Sequence, residues 1–381
     1  MLIASTGSVR NSLTLNLYKG IMKKTDNILS HRFRNNSKGL FLTNRKMSLR
    51  AKETLKRLKE EINKGNIEQR EHESCPLCFG KEAILIAEKD RYGIPCETVI
   101  CKCCGLVFND SFFDEVSLEV VYEEFYGDIN FDGVAPEGSF FKRTRPDAYS
   151  WKRFAFIALK LDTILKELKT IFEIGCRDGC NLLPFYLAGK EVMGCDFDEE
   201  YLDVGRRRGL NLLRGGTDSL VASGRQADLI ILSHVFEHFV DIDKSIADVR
   251  KMLTPRGYVY VEVPGLLNWN RKRSDFISED GCKSSNNFLM YLQSVHNYCF
   301  DLEKVSSFFE RNGFEMVIGD EWVRALFRKS DSTELTKGNY YNPNSAERIL
   351  AYLQTVERDF RSPTTQLNRF ARKLLQKALT T

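Results

Sequence analysis

The stretch TIFEIGCRDG, residues 170–179, decides the fold of this chain of 381 residues. A strand-like run ends there in a glycine-rich turn, and the helix-like segment NLLPFYLAG (181–189) follows at once. A strand that passes through a tight glycine turn into a helix is typical of the first unit of an open α/β sheet. Gly175 and Gly179 would let the backbone approach a ligand without interference from a Cβ atom.

Helix-like and strand-like segments alternate around this turn, from residue 151 to residue 330. The strand-like runs are TIFEIG, EVMGCDF, LNLLRG, ADLIILS, GYVYVEVPG and FEMVIGDE. Such alternation predicts a doubly wound α/β fold, with a mostly parallel sheet and crossover helices. The second strand-like run ends in Asp196, seventeen residues after Gly179. A carboxylate at that place can accept both hydroxyls of a ribose, so the two features together indicate an adenosine-containing ligand.

The composition excludes several classes of protein. With 43% hydrophobic and 28% charged residues, the chain can bury a large core and is neither disordered nor fibrous. We find no run of the ~18–20 apolar residues that a membrane helix needs. Eleven cysteines is an odd number, and the first residues are too short an apolar run for a secretory signal. We therefore expect thiols or metal thiolates in a reducing, cytoplasmic compartment.

The formal net charge of +4 conceals an uneven distribution. Residues 1–70 hold 16 Lys and Arg against 5 Asp and Glu, whereas the remainder holds 40 against 47. The basic segment can be a simple extension, or sequence upstream of a start at Met22 or Met47. It can also be an organelle-targeting peptide or a nucleic-acid-binding arm. The acidic body disfavours a surface that follows phosphates, so we do not expect a nucleic acid as the main partner.

A cysteine cluster precedes the α/β region. Cys75-Pro-Leu-Cys78 and Cys101-Lys-Cys-Cys104 are two C-x-x-C units with 22 residues between them. Two such units place four thiolates in the tetrahedral geometry of a closed structural Zn²⁺ site, which leaves no open position for catalysis. Cys103 can replace one of its neighbours as a ligand, and a set of buried reduced thiols is the alternative to a metal.

In these segments the chain resembles a known family. Over residues 150–320 it is similar to the class I S-adenosylmethionine-dependent methyltransferases, on the runs FEIGCRDGCNL, EVMGCDFDEEYLDVGRRRGL, ADLIILSHVFEHFVDIDKSIADVRKMLTPRGYVYVEVPG and HNYCFDLEKVSSFFERNGFE. Residues 75–113 resemble the zinc-binding segment of the subgroup that includes sugar C-methyltransferases. The resemblance implies a seven-stranded mixed sheet whose last strand pair is built from FEMVIGD and ALFRKS. It also implies S-adenosylmethionine as the cofactor.

The resemblance implies a set of cofactor-binding residues. Gly175 and Gly179 would line the methionine moiety with Glu173 nearby, Asp196 would hold the ribose, and Phe197 would pack on adenine. Asp218 would lie by the adenine amino group, and Ser233 would end the fourth strand, facing cofactor and substrate. The middle glycine of the family's G-x-G-x-G pattern is Arg177 here. A side chain at that position must point away from the cofactor or contact its carboxylate.

Three histidines are the candidates for the catalytic chemistry. His234 and His238 in SHVFEH are four residues apart on what reads as the start of a helix, and His296 precedes a later helix. An imidazole with a pKa of ~6.5 suits general-base work near neutrality, and we rank His234 slightly above the others. His238 can equally be a packing residue and His296 an N-terminal staple. A metal bound by the two SHVFEH histidines with Glu237 is a further alternative.

These interpretations divide the chain into five parts. They are a basic N-terminal extension with one helix (1–70), a zinc-ribbon-like segment (71–112), a connecting or lid segment (113–150), a methyltransferase domain (151–330) and a helical C-terminal extension (331–381). The expected reaction is methyl transfer from S-adenosylmethionine to a small molecule, such as a sugar or nucleotide-sugar. The alternatives are an RNA methyltransferase or RNA-binding module, and a non-catalytic scaffold.

Overall fold

The structure is a computed structural model, and it describes residues 22–26, 29, 33, 47–131, 135–268, 287–320, 322–331, 340, 342–365 and 367. The strands are β1 (Lys23–Asp26), β2 (Gln69–Glu71), β3 (Glu82–Lys89), β4 (Pro95–Cys101), β5 (Val107–Asn109), β6 (Ser111–Phe113), β7 (Thr170–Ile174), β8 (Glu191–Asp196), β9 (Asn211–Arg214), β10 (Ala227–Ser233), β11 (Leu253–Glu262), β12 (Tyr298–Cys299), β13 (Phe314–Gly319) and β14 (Arg324–Lys329).

The helices are α1 (Leu49–Lys64), α2 (Glu115–Val121), α3 (Gly127–Phe131), α4 (Pro136–Thr144), α5 (Tyr149–Leu161), α6 (Thr163–Glu167), α7 (Leu183–Leu187), α8 (Glu199–Arg206), α9 (Thr217–Ala222), α10 (Ile242–Met252), α11 (Leu302–Arg311) and α12 (Pro343–Arg361). A π-helical turn at Tyr122–Tyr126 joins α2 to α3. None of the helices in the described parts of the chain has the length and apolarity to cross a membrane.

The central sheet has seven strands in the order β13-β14-β11-β10-β7-β8-β9. All neighbours are parallel except β14, which is antiparallel to both β11 and β13. The middle strand β10 is apolar on both faces because helices cover both sides, and Leu229 and Ile230 are fully buried. The predicted fold class is confirmed, including the final antiparallel pair.

The chain reverses its direction of winding between β7 and β10. From β7 it builds outward through β8 to β9, and it then crosses to the other side of β7 to form β10. The carboxyl ends of β7 and β10 therefore border a crevice, which is where ligands bind in open α/β sheets. The segments that follow these two strands carry the predicted glycines and histidines.

A second sheet of five strands has the order β1-β3-β4-β5-β12. It combines the cysteine segment with β12, a strand from late in the chain that pairs antiparallel with β5. It also includes β1, which lies within the predicted basic extension and pairs parallel with β3. Residues 23–26 are thus part of a sheet. The predicted helical C-terminal extension contains α12, and its residues from 368 onward lie outside the described part of the chain.

Lys24 in β1 carries an ion pair whose loss should be measurable. Its Nζ lies 2.5 Å from Asp110 Oδ2 and 2.6 Å from Glu97 Oε2, and the Asp110 side chain is 1% exposed. A Lys24→Met change leaves that buried carboxylate without its cation, so we expect a loss of about 1–3 kcal/mol in the free energy of unfolding. Urea denaturation measures it. Lys23→Met, at an exposed neighbour, is the control, and equal stability of the two variants would contradict the prediction.

Candidate functional site

The glycine turn after β7 has the backbone that its sequence predicts. Gly175 and Gly179 have φ of +66° and +72°. A Cβ atom at Gly175 would lie 2.9 Å from Val235 Cγ2, a close approach that only glycine permits. The turn is tied to the next strand, because the Arg177 backbone N–H donates to Asp196 Oδ2 at 2.8 Å. The predicted methionine-lining glycines and the predicted ribose carboxylate are therefore neighbours.

Arg177, which departs from the family's glycine pattern, also has positive φ, at +53°. Its guanidinium lies over the ring of Tyr201 in α8, with 3.8 Å between Cζ and the ring centroid. Burial lowers the pKa of this guanidinium from its ordinary value. The side chain is thus held by a cation–π contact with α8, the helix that follows β8.

The predicted adenine-side residues also come together. Asp196 ends β8, and its Oδ1 accepts from the Asp198 backbone N–H at 3.1 Å. A Cβ atom built at Gly216 would lie 3.3 Å from Phe197 Cζ and 3.2 Å from Asp218 Oδ1, so the aromatic ring and this second carboxylate flank one glycine. Burial raises the pKa of Asp196, and the backbone N–H groups that donate to its carboxylate partly offset this rise.

A buried polar network runs beneath this edge of the sheet. Glu173 Oε1 accepts from Asn181 Nδ2 at 2.7 Å, and Asn181 Oδ1 accepts from Arg153 at 3.1 Å. Arg153 Nε in turn donates to Glu262 Oε2 at 2.6 Å. Burial raises the pKa of Glu173 to about 8, whereas Arg153 and then His234 hold the pKa of Glu262 well below its ordinary value in spite of burial. This network connects Glu173, at the end of β7, with His234 after β10.

His234 projects into the crevice from the end of β10, one residue after Ser233. Its side chain keeps 46% of its surface exposed, with Nδ1 3.8 Å from Glu237 Oε1 and Nε2 3.6 Å from Glu262 Oε1. Desolvation lowers the pKa of this imidazole, but the two carboxylates outweigh it and raise the pKa to about 9. His234 is therefore held between two carboxylates at the open side of the site, and its imidazole is mostly protonated near neutral pH.

The sequence-based expectation that His234 and His238 lie on one helix is wrong. His234 has φ of +57°, and only a single 3₁₀ turn, Phe236–His238, follows it. The left-handed conformation of His234 turns the chain away from the direction of β10. The His238 side chain consequently lies in the interior and is 9% exposed. It stacks edge-on against His296, with 4.6 Å between ring centroids. Burial lowers the pKa of both inner imidazoles.

Tyr122, in the π-helical turn, is a site residue that the sequence reasoning missed. Its hydroxyl lies 2.6 Å from His238 Nδ1, and its ring is parallel to that of Phe197 within 2°, with the centroids 6.3 Å apart. Tyr126 packs edge-on against it. One tyrosine thus connects the predicted adenine ring contact to the histidines. Its only signal in the sequence is the aromatic-rich composition of residues 112–150.

The aromatic and basic stretch FFKRTRPDAYSWKRF (140–154), which continues the predicted lid segment, lies against the glycine turn. It forms α4 and α5, and the helical structure is interrupted between them at Arg145-Pro146. Arg143 from α4 pairs with Asp178 of the glycine turn at 3.3 Å, and Arg153 from α5 enters the buried network. Because these two cations already pair with carboxylates of the protein, they are not free to bind an anionic acceptor.

The four predicted zinc ligands meet at one point. Cys75 Sγ lies 3.6 Å from Cys104 Sγ, and Cys78 Sγ lies 3.5 Å from Cys101 Sγ. Four sulfurs at ~2.3 Å from a tetrahedral zinc ion are about 3.8 Å apart, so the donor set fits the ion closely. Cys103 is not in this group of thiols. The cluster is tied to the central domain, because Arg311 of α11 donates to the carbonyls of Pro76 and Leu77.

Comparison with known proteins agrees with this geometry. A family model described as a methyltransferase domain matches residues 145–318. The ubiquinone biosynthesis O-methyltransferases of Bartonella bacilliformis and Mesorhizobium japonicum are 29% identical over 97 residues and 32% identical over 100 residues. Each alignment covers 24% of this chain and 39% of the relative, so the chain spans about two fifths of the length of the relatives that it matches.

Solved structures give weaker overlaps. The plantazolicin methyltransferase BpumL in complex with SAH is 14% identical, with 56% of this chain and 94% of that chain covered and a TM-score of 0.41. Magnesium protoporphyrin IX methyltransferase (ChlM) from Synechocystis PCC 6803 is 15% identical, with 55% and 99% covered and a TM-score of 0.38. The family match identifies residues 145–318, which hold the glycine turn and the three candidate histidines, as a methyltransferase domain.

Proposed function

We propose that this chain transfers the methyl group of S-adenosylmethionine to a small-molecule acceptor. The observation that supports this most directly is the meeting of Gly175, Asp196 and Phe197 at the carboxyl ends of parallel strands. A glycine cradle, a carboxylate and an aromatic ring in that order suit the methionine, ribose and adenine parts of the cofactor. When bound, the cofactor supplies a methyl group that is already activated on a sulfonium.

The remaining residues of the proposed cofactor site follow from the same arrangement. Glu173 anchors the buried network below the glycine turn, and Gly179 forms its far end. Asp218 lies on the adenine side beside Phe197, and Ser233 marks the end of β10 where the acceptor enters. Tyr122 covers the site from the lid segment, so it would exclude water from the reacting groups.

We assign proton transfer to His234. Of the three predicted catalytic histidines, it is the one that reaches the open side of the crevice, with 46% of its side-chain surface exposed. An oxygen or carbon acceptor must lose a proton on methylation, and the neutral form of His234, which two carboxylates orient, would accept it. Because the pKa of His234 is raised to about 9, this form is a minority near neutrality, and kcat should rise as the pH approaches 9. His238 and His296 are 9% and 8% exposed, and the Tyr122 hydroxyl already contacts His238, so both are less accessible to an acceptor.

The acceptor class is part of the proposal. The resemblance of residues 75–113 to sugar C-methyltransferases favours a sugar or nucleotide-sugar, and the relatives' names favour an oxygen as the methylated atom. We propose a small oxygen-bearing metabolite in a cytoplasmic setting, where the ten cysteines that the structure describes as free thiols would stay reduced. Nucleic acid is disfavoured by the acidic body of the chain.

Isothermal titration calorimetry with S-adenosylhomocysteine tests the cofactor site. Asp196→Ala should weaken binding by about 1–3 kcal/mol, or roughly 5- to 150-fold, because a charged acceptor of the ribose hydroxyls is lost. Asp203→Ala removes a half-exposed carboxylate of α8 and is the matched control. Unchanged affinity of Asp196→Ala would refute the assignment, and no binding by the unaltered protein at millimolar ligand would favour a non-catalytic scaffold.

A further inference from the structure

The Glu262 carboxylate, at the end of β11, divides its two oxygens between different partners. Its Oε2 accepts from Arg153 Nε at 2.6 Å and from the Tyr260 hydroxyl at 2.9 Å. Its Oε1 faces the imidazole of His234, with 3.6 Å to Nε2. The Glu262 side chain is 3% exposed and the Arg153 side chain 12% exposed. One buried carboxylate thus lies between a cation of α5 and the proposed base.

His234 is joined to Glu262 at two points. Its backbone N–H donates to the Glu262 carbonyl oxygen at 2.7 Å, and its imidazole forms an ion pair with the carboxylate of the same residue. His234 has φ of +57°, a conformation that a residue other than glycine keeps only where its surroundings impose it. The direction of the imidazole therefore depends on where the Glu262 side chain is held.

Arg153 holds the Glu262 side chain in place. Besides its bond to Glu262, its guanidinium donates from Nη1 to Asn181 Oδ1 at 3.1 Å, so it is fixed at two positions. Burial alone would lower the pKa of Arg153, but the carboxylate raises it above its ordinary value. The Glu262 pKa in turn lies well below its ordinary value in spite of burial. Both groups are therefore charged near neutral pH.

The other titratable groups around His234 are one carboxylate and two imidazoles. Glu237 Oε1, from the 3₁₀ turn after β10, lies 3.8 Å from Nδ1 of His234. Burial lowers the pKa of His238 and of His296, so both are neutral near pH 7 and add no charge. The His234 imidazole thus faces two carboxylates, and the one on β11 has a permanent cation on its other oxygen.

The groups beyond Glu262 leave Arg153 as the cation in direct contact with it within the described part of the chain. Arg324 of β14 donates from Nε to Asp320 Oδ2 at 2.7 Å, so its charge is balanced inside its own turn. Burial raises the pKa of Tyr260 well above its ordinary value, so its hydroxyl stays protonated and contributes a neutral hydrogen bond.

We propose that Arg153 is a positioning residue for methyl transfer, which acts on His234 through Glu262. By holding Oε2 it directs Oε1 toward the imidazole, and by balancing part of the carboxylate charge it limits how strongly the imidazole retains its proton. Without this cation, the neutral form of His234 that accepts a proton would be scarcer. This inference rests on the proposed proton transfer to His234, whereas the effect of Arg153 on the imidazole is a property of the protein alone.

NMR titration of the imidazole signals tests this role without an acceptor. The chain has five histidines, so the His234 signal can be assigned by its loss in His234→Asn. Arg153→Gln removes the charge but offers a hydrogen-bond donor, and the pKa of His234 should rise by about 1 unit or more, the usual effect of a neighbouring charge. Arg153→Lys keeps the charge and should show less than half of that rise.

The same change should appear in the pH profile of kcat. Because neutral His234 accepts the proton, the rising limb should move to higher pH in Arg153→Gln, and kcat below the limb should fall about tenfold for each unit of the shift. At high pH, kcat should approach that of the unaltered protein. A merely structural role of Arg153 would lower kcat at every pH.

A double variant covers the case in which Arg153→Gln does not fold. Arg153→Gln/Glu262→Gln removes both buried charges together, so neither is left without its partner. The pKa of His234 should then fall below that of the unaltered protein, because one of its two carboxylates is gone. A pKa that stays the same or rises in the double variant would show that Glu262 does not act on the imidazole.

The controls separate this role from the other proposals. Lys152→Met removes an exposed cation of the same helix and should leave the pKa of His234 unchanged. An unchanged or lower pKa in folded Arg153→Gln, or an equal rise in Arg153→Lys, would overturn the role of Arg153. If the pKa rises as expected but His234→Asn keeps its full kcat, the proposed proton transfer fails and the control of the imidazole by Arg153 stands.

Discussion

Replacing His234 by asparagine should lower kcat by about 10²- to 10⁴-fold, the usual contribution of a positioned general base. The imidazole lies between Glu237 and Glu262, which orient it toward the crevice and strengthen it as a base. Asparagine is chosen because it tolerates the positive φ of this position better than most side chains. The Kd for S-adenosylhomocysteine should not change, since His234 is on the acceptor side.

The measurement uses an acceptor identified by transfer of a labelled methyl group from S-adenosylmethionine. His72→Asn is the control for a general loss of stability. That imidazole is half-buried and contacts the rings of Phe108 and Phe112, in the β5–β6 region. It should lower the melting temperature while the folded protein keeps its kcat. An unchanged kcat in His234→Asn would remove His234 from the mechanism.

The local part of the site could be predicted from the sequence. The turn after β7 needs glycine at two positions of positive φ, and the residues that follow β8 meet it because parallel strands end at the same edge of a sheet. The order of strand-like and helix-like runs then predicts the sheet itself. Each of these inferences depends only on short segments and on a regular repeat, which sequence patterns preserve.

The contacts between distant segments could not be predicted in this way. The pairing of β5 with β12 joins residues near 108 to residues near 298, and nothing in either short run specifies the partner. Tyr122 reaches the histidines because a π-helical turn changes the direction of its side chain, and period-based reasoning assumes a regular helix. The spacing of His234 and His238 suggested a helix for the same reason, whereas a left-handed residue at His234 separates them.

The cysteine cluster should therefore affect the candidate active site. Its sheet holds the backbone of His296 and Asn297 through Asn109, and Arg311 joins the first C-x-x-C unit to α11 and Asp243. The donor set fits Zn²⁺, and we propose that this ion completes the sheet. Loss of the metal should then disturb the His296 end of the crevice as well as the cysteine segment itself.

Metal analysis of the purified protein should give about one equivalent of zinc in the cysteine cluster, and Cys75→Ser/Cys101→Ser should lose it. Zinc binding contributes on the order of 10 kcal/mol in small domains of this kind, so the double variant should unfold in the five-stranded sheet that contains the cysteine segment. Hydrogen exchange should rise in β3, β4 and β5 and also in β12, which pairs with β5.

Cys103→Ser, a change beside the cluster but outside it, should leave both the zinc content and the protection from exchange unaltered. Full zinc content in the double variant would exclude these thiols as ligands, and unchanged exchange in β12 would show that the cluster does not support the histidine end of the site.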